Sequence, residues 1–235
     1  MSAAERCFAL VPCAGVGARA AVGRPKQYAA LAGRAVVAHT LAALAAVPRL
    51  AATLVVLARD DQQFEQHAPA FVGPHAWVAR CGGATRAQTV AAGLQVLLER
   101  GAAGHDWVLV HDAARCLLQA AWVERLIDAC LPDEVGGLLA LPLADTLKVG
   151  RGGPPHRVAA TLPRADKWLA QTPQMFRLGL LQRALAQAGA AATDEASAIE
   201  ALGLQPLLVT GDAQNFKLTW PADFTLAERL LETRR

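Results

Sequence analysis

Short, nearly unbroken apolar runs alternate along this chain with longer alanine and leucine segments of helical period. That alternation predicts an α/β fold, a mostly parallel sheet with helices on both faces. The runs place strands at 8–12, 53–57, 77–80, 107–111, 137–141 and 205–210. Helical spacing predicts helices over 36–46, 60–68, 86–100, 121–131, 178–188, 194–202 and 221–231. Several of these begin at an acid or proline and stop before a glycine, as helix ends prefer.

One segment departs from this rhythm. Residues 143–174 carry Gly150, Gly152, Gly153, Pro154, Pro155 and Pro163, with strand-like pieces at 146–149 and 157–161. Two short strands around a Gly-Pro turn make a hairpin rather than another βα unit. A hairpin projecting from a sheet needs cover, so a dimerisation arm is expected at about 143–174. The chain of 235 residues can bury a full core, and a single domain over 1–235 is expected.

Composition narrows the function classes. The chain is 54% apolar and 18% charged, which excludes a disordered solvating segment. Its net charge of +3 is spread along the chain, so no nucleic-acid partner is expected and any attraction for phosphate is local. Only four of the 23 basic residues are lysines, namely Lys26, Lys148, Lys167 and Lys217. Each offers a compact point charge suited to a phosphoryl group. Five cysteines without a C-x-x-C argue against a disulfide framework or zinc site. The first residues are too few and too polar for a signal peptide, and no apolar run reaches the ~18 residues of a membrane span. A cytoplasmic protein with no membrane partner is the expectation.

The chemistry concentrates in Val11-Pro12-Cys13-Ala14-Gly15-Val16-Gly17-Ala18-Arg19, a glycine turn following a strand, and in Gly23-Arg24-Pro25-Lys26-Gln27. Glycines let backbone amides approach an anion, and Arg19, Arg24 and Lys26 add positive charge, so the pair reads as a polyphosphate cradle. The bland alternative is a strand-to-loop turn with incidental charge. The G-x-G-x-x-A match is not completed as a dinucleotide site, because residues 34–57 contain no acid for a ribose. Asp112, in Val110-His111-Asp112-Ala113-Ala114-Arg115, stands where an apolar run stops. It reads as a metal-binding carboxylate for Mg²⁺, or as a turn cap paired with Arg115. His111 reads as structural. Gly82-Gly83-Ala84-Thr85-Arg86, with the Thr89 hydroxyl, is either a backbone approach point or a plain βα loop. Thr193 to Ser197 reads as a helix start capped by Thr193 or Asp194, with no chemistry assigned. By itself Lys217 is an unremarkable surface lysine.

Taken in order, these segments resemble the 2-C-methyl-D-erythritol 4-phosphate cytidylyltransferase family. Further matches are Pro25-Lys26-Gln27-Tyr28, Asp145-Thr146-Leu147-Lys148, Gln171-Thr172-Pro173-Gln174 and Asn215-Phe216-Lys217. The resemblance implies a Rossmann-like nucleotidyltransferase sheet with a protruding β-arm that forms a homodimer. It implies a reaction of CTP with the polyol phosphate to give the CDP-linked alcohol and pyrophosphate, with Mg²⁺. By this resemblance Arg19, Lys26 and Lys217 surround the triphosphate, Ala14, Gly15 and Gly17 cradle the nucleotide, and Gly82 and Thr89 help recognise cytosine. Asp112 binds the metal. Thr146 and Arg164 hold the substrate phosphate across the dimer, with Arg115 and Thr172 nearby.

Four positions depart from the family pattern: Ala84 and Thr85 replace acids, Cys116 replaces a proline in the metal loop, and Pro163 replaces an acid before Arg164. The rival within the family's chemistry is a cytidylyltransferase for another polyol phosphate such as ribitol 5-phosphate. Rivals of other classes are an NAD(P)-binding oxidoreductase, which lacks its ribose acid here, and a catalytically silent nucleotide-binding module.

Overall fold

The computed structural model describes residues 5–15 and 25–234. Gly17 and Arg19 of the expected cradle lie outside the described residues, as does Arg24. The elements in chain order are β1 (Cys7–Pro12), β2 (Ala30–Leu31), β3 (Arg34–Ala35), α1 (Val36–Ala45), β4 (Leu50–Val56), α2 (Phe64–His67) and β5 (Ala76–Ala79). There follow α3 (Arg86–Glu99), β6 (Trp107–Val110), α4 (Ala120–Cys130), β7 (Gly136–Pro142), β8 (Leu147–Arg151), β9 (Arg157–Leu162) and β10 (Trp168–Arg177). The chain ends with α5 (Leu178–Ala188), α6 (Glu195–Glu200), β11 (Leu207–Thr210) and α7 (Pro221–Glu232).

Seven strands form one sheet in the order β11-β7-β10-β6-β1-β4-β5. All neighbours are parallel except β10, which runs antiparallel to both β6 and β7. Alternate residues of the central strands feed two separate cores. Cys7, Ala9 and Val11 of β1 pack on one face with α1 and α4, while Phe8 and Leu10 pack on the other with α3, α5 and α6. Burial on both faces is why these strands read as unbroken apolar runs. Gly93 lets α3 lie close on the sheet, since a Cβ there would come within 2.7 Å of Leu10 and 2.8 Å of Val56.

Two expectations are corrected. The helix expected over 60–68 shrinks to α2, because the Asp61 carboxylate accepts from the Gln63 and Phe64 amides and turns the chain before a helix can start. The break expected to last until residue 174 ends earlier: β8 and β9 form the projecting hairpin, and β10 enters the middle of the sheet. Its polar stretch looked unlike a core strand, yet Gln171, Thr172 and Gln174 are all buried and hydrogen-bonded. Among the described residues no helix is long and apolar enough to cross a membrane.

Candidate active site

Strands β1 and β6 are parallel neighbours, so the loops leaving their carboxyl ends emerge side by side. In a sheet of this kind that edge is where ligands bind. Past β1, the Cys13 amide donates to the Val56 carbonyl at 2.8 Å, extending the strand into the glycine turn. The turn is clasped from behind, since Gln27 Nε2 donates to the Cys13 and Gly15 carbonyls at 3.2 and 3.0 Å. Next along the chain, the Tyr28 hydroxyl donates to Asp61 Oδ2 at 2.6 Å. Lys26 is thereby carried to the mouth of the turn, where its Nζ donates to the Leu218 carbonyl at 3.0 Å.

A cavity of 250 Å³ opens between these loops, lined by Ala14, Gly15, Lys26, Gly83, Thr85, Arg86, Thr89, Asp112 and Lys217 among others. A larger cavity of 630 Å³ lies between α1 and α2, and none of the expected site residues lines it.

Asp112 is the electrostatic centre, 8% exposed. Arg86 Nε donates to its Oδ1 at 2.9 Å and Lys217 Nζ approaches its Oδ2 at 2.8 Å. Burial by itself would raise this carboxyl, but the Arg86 guanidinium and the Lys217 ammonium hold it far below the usual carboxylate range. Lys217 is therefore no ordinary surface lysine. Its segment is anchored by the Leu218 amide, which donates to the Ala114 carbonyl at 2.9 Å.

The loop is held from beneath by β10. The Asp112 amide donates to Thr172 Oγ1 at 3.0 Å, and Thr172 Oγ1 also meets His111 Nδ1 at 3.1 Å. His111 Nε2 faces the Arg115 carbonyl at 3.2 Å, which can only accept, so the proton sits on Nε2 and Nδ1 accepts from Thr172. Burial pushes the imidazole down to about 4, keeping it neutral at pH 7. The structural reading of His111 thus has a specific content. Arg115 braces the same floor, its Nη1 donating to the Asn215 carbonyl at 2.7 Å and its Nη2 to Ala170 at 3.3 Å. Its Nε has no hydrogen-bond partner and stands 3.8 Å from Asp112 Oδ2. At the Cys116 departure the turn is closed by the Arg115 amide, which donates to the Asp112 carbonyl at 3.0 Å, and Cys116 itself is buried.

Gly82 and Thr89 hold the loop between β5 and α3 in shape. A Cβ on Gly82 would lie 2.3 Å from Ala14 Cβ and 2.7 Å from the Leu57 carbonyl, so only glycine lets the two loops touch. The Thr89 hydroxyl donates to the Thr85 carbonyl at 2.9 Å and accepts from the Gly83 amide at 3.2 Å, stabilising the turn. Thr85, noted as a departure from the family pattern, caps α3 by accepting from the Gln88 amide. Thr146 and Arg164 are exposed near the base of the arm, outside the cavity lining, with Arg164 Nη1 donating to the Ala144 carbonyl.

Sequence reasoning missed Arg86 and Glu195. Arg86 forks onto both Glu195 oxygens at 2.6 and 3.0 Å while reaching Asp112 through Nε. Asp194 does cap α6, as one of the two expected residues, but Glu195 beside it is fully buried. A charged residue in the first turn of a short helix looks solvated in sequence, and the partner is 109 positions away. Among the described residues no group of three or more His, Cys, Asp or Glu could hold a metal by itself.

The family model for 2-C-methyl-D-erythritol 4-phosphate cytidylyltransferase matches residues 7–233. A relative of that name from Laribacter hongkongensis is 57% identical, over 97% of this chain and 96% of its own. A bifunctional IspD/IspF enzyme of Albidiferax ferrireducens is 62% identical over 97% of this chain, which spans 54% of that longer protein. Among solved structures, a 4-diphosphocytidyl-2C-methyl-D-erythritol synthase superposes with a TM-score of 0.86 at 42% identity, covering 97% of this chain and 100% of its own. The cytidylyltransferase of Thermus thermophilus gives 0.77 at 34% identity, covering 97% and 100%. With a cationic cleft at the sheet edge and matches spanning nearly its whole length, the chain belongs to the 2-C-methyl-D-erythritol 4-phosphate cytidylyltransferase family.

Proposed function

We propose that this chain transfers the cytidylyl group of CTP to 2-C-methyl-D-erythritol 4-phosphate, releasing pyrophosphate. Family membership supports the reaction, and the observation that supports this cleft as its site is Asp112 held ionised at the sheet edge with Lys26 and Lys217 around the same cavity. A substrate phosphate oxygen attacks the α-phosphorus, forming one P–O bond as the bond to pyrophosphate breaks. The nucleophile is already an anion, so the site has to neutralise charge and hold the reactants in line rather than move a proton. Lys26 and Lys217 face the triphosphate and Ala14 and Gly15 bring backbone to it, while Gly82 and Thr89 shape the turn beside the base; Gly17 and Arg19 are assigned to the same triphosphate by the family resemblance alone.

Asp112 is an ionised carboxylate with lone pairs left on both oxygens, and one carboxylate with phosphate oxygens is a donor set that suits Mg²⁺. Bound there, Mg²⁺ would neutralise charge on the triphosphate. The arm exposes Val149, Val158 and Leu162, and Trp168 and Leu169 at its base are also exposed, an apolar surface suited to a second copy of the chain. In that homodimer Thr146 and Arg164 reach the partner's substrate phosphate, with Arg115 and Thr172 flooring the site.

Pyrophosphate release with CTP and Mg²⁺ tests the reading, comparing 2-C-methyl-D-erythritol 4-phosphate with ribitol 5-phosphate. Selective release with the former is expected. Selectivity for the latter, or release with neither, would overturn it.

A further inference from the structure

Asp112 can meet a cation through one oxygen or both, and its terminal torsion is intrinsically broad, so whatever fixes that torsion fixes which lone pairs face the cavity. In this structure that torsion is held by a residue with no role in the reaction as derived so far. Arg86 Nε donates to Oδ1 at 2.9 Å, and the remaining face of the same planar guanidinium is committed to Glu195 through Nη1 at 2.6 Å and Nη2 at 3.0 Å. Three donors in one plane on two carboxylates leave Arg86 no alternative orientation. Glu195 in turn cannot swing, since it is fully buried in the first turn of α6. That turn is docked on β10, with the Ala196 amide donating to Gln174 Oε1 at 2.7 Å and Gln174 Nε2 donating to Asp194 Oδ2 at 2.9 Å.

We propose that Arg86, locked by Glu195, is a positioning residue: it pins Asp112 Oδ1 so that Oδ2 is aimed at Lys217 and the cavity, making the docking of α6 a determinant of metal and triphosphate geometry. The proposal rests on Asp112 being the metal-binding carboxylate. Removing Arg86 alone would strand a buried Glu195 charge and confound the result with unfolding. The test is the paired variant Arg86→Met with Glu195→Gln, which removes both charges, with Arg86→Lys alongside to keep the charge and lose the fork. Asp112→Asn is the reference.

Each variant is checked for folding by its Tm, then for kcat, for the KM of CTP, and for Mn²⁺ affinity measured by electron paramagnetic resonance with CTP and no polyol phosphate present. The paired variant should recover most of the Tm lost by Arg86→Met alone. Its kcat should fall by about 10-fold or more with the KM of CTP changed by less than about 3-fold, and Mn²⁺ should bind about 10-fold more weakly, the scale for losing a group that orients a ligand. Arg86→Lys should show the same split. Folded variants with unaltered kcat and Mn²⁺ affinity would overturn the positioning role. If Asp112→Asn itself leaves Mn²⁺ binding and turnover intact, the metal role of Asp112 falls and the proposal with it. An Asp112→Asn defect beside an intact paired variant removes the positioning role alone.

Discussion

The loops around Asp112 and the β8–β9 arm carry charged residues under opposite conditions. At the sheet edge, Asp112, Arg86, Glu195 and Lys217 are tied together over distances of 2.6 to 3.0 Å, with Thr172, His111 and Arg115 bracing the floor. On the arm, Val149, Val158 and Leu162 face solvent, and the polar contacts are as slight as Lys148 Nζ donating to Thr161 Oγ1 at 2.8 Å. Low local dielectric makes the first set expensive to disturb, while the second costs little to move. The contrast teaches that one chain ties the charges of the sheet edge together by itself, whereas the arm leaves its apolar side chains without cover; under the proposed function that cover is a second copy.

The largest expected effect is at the preorganised edge. Lys26→Ala should lower turnover by about 10² to 10³-fold, the scale for losing one charge-stabilising donor in the transition state. Its stability should change by less than about 1 kcal/mol. Steady-state kinetics with a urea melt checks both, and unchanged turnover would remove Lys26 from the reaction.

Next comes the buried floor. His111 is neutral and buried when folded, with a pKa pushed from 6.5 down to about 4, whereas the unfolded chain protonates it near 6.5. Between those values the unfolded state binds more protons, so this contribution is full above about pH 6.5 and is lost progressively as pH falls to about 4, up to about 3 kcal/mol. His111→Gln should flatten that slope in urea unfolding near pH 7 and pH 5. Equal slopes for variant and parent would contradict the neutral assignment.

On the arm, Arg164→Ala should raise the KM for the polyol phosphate about 10-fold or more and leave that for CTP within about 3-fold, the loss of a charged hydrogen bond to phosphate. An equal rise in both would break the division between the two regions. The smallest effect on the chain itself is expected from Val158→Glu, within about 0.5 kcal/mol of parental stability because Val158 is 64% exposed. In the proposed homodimer this charge falls on the exposed apolar arm, so sedimentation should give a monomer for the variant where the parent gives a dimer; a monomeric parent, or a variant that stays dimeric, would remove the arm from the interface.

Much of this was legible from the chain. Central strands β1, β4 and β6 announced themselves because both their faces are covered, and the glycine turn, Lys26 and Asp112 stood out by type and position. β10 stayed hidden because Gln171, Thr172 and Gln174 are core residues only by virtue of partners elsewhere: the Asp212 carbonyl, the Asp112 amide and Asp194. Taken without the family resemblance, Lys217 looked like a solvated surface lysine, because its partner Asp112 lies far away in sequence.

Periodicity and residue type, being local properties, are enough to determine which segments become strands or helices and which loops carry phosphate-binding chemistry. Where the charges meet is not local. Arg86, Asp112, Glu195 and Lys217 are brought together by the parallel order of β6 beside β1 and by α6 docking on β10. Only the folded chain could decide that pairing, because the free energy of a buried charge depends on the partner within about 3 Å of it, which sequence separation does not reveal.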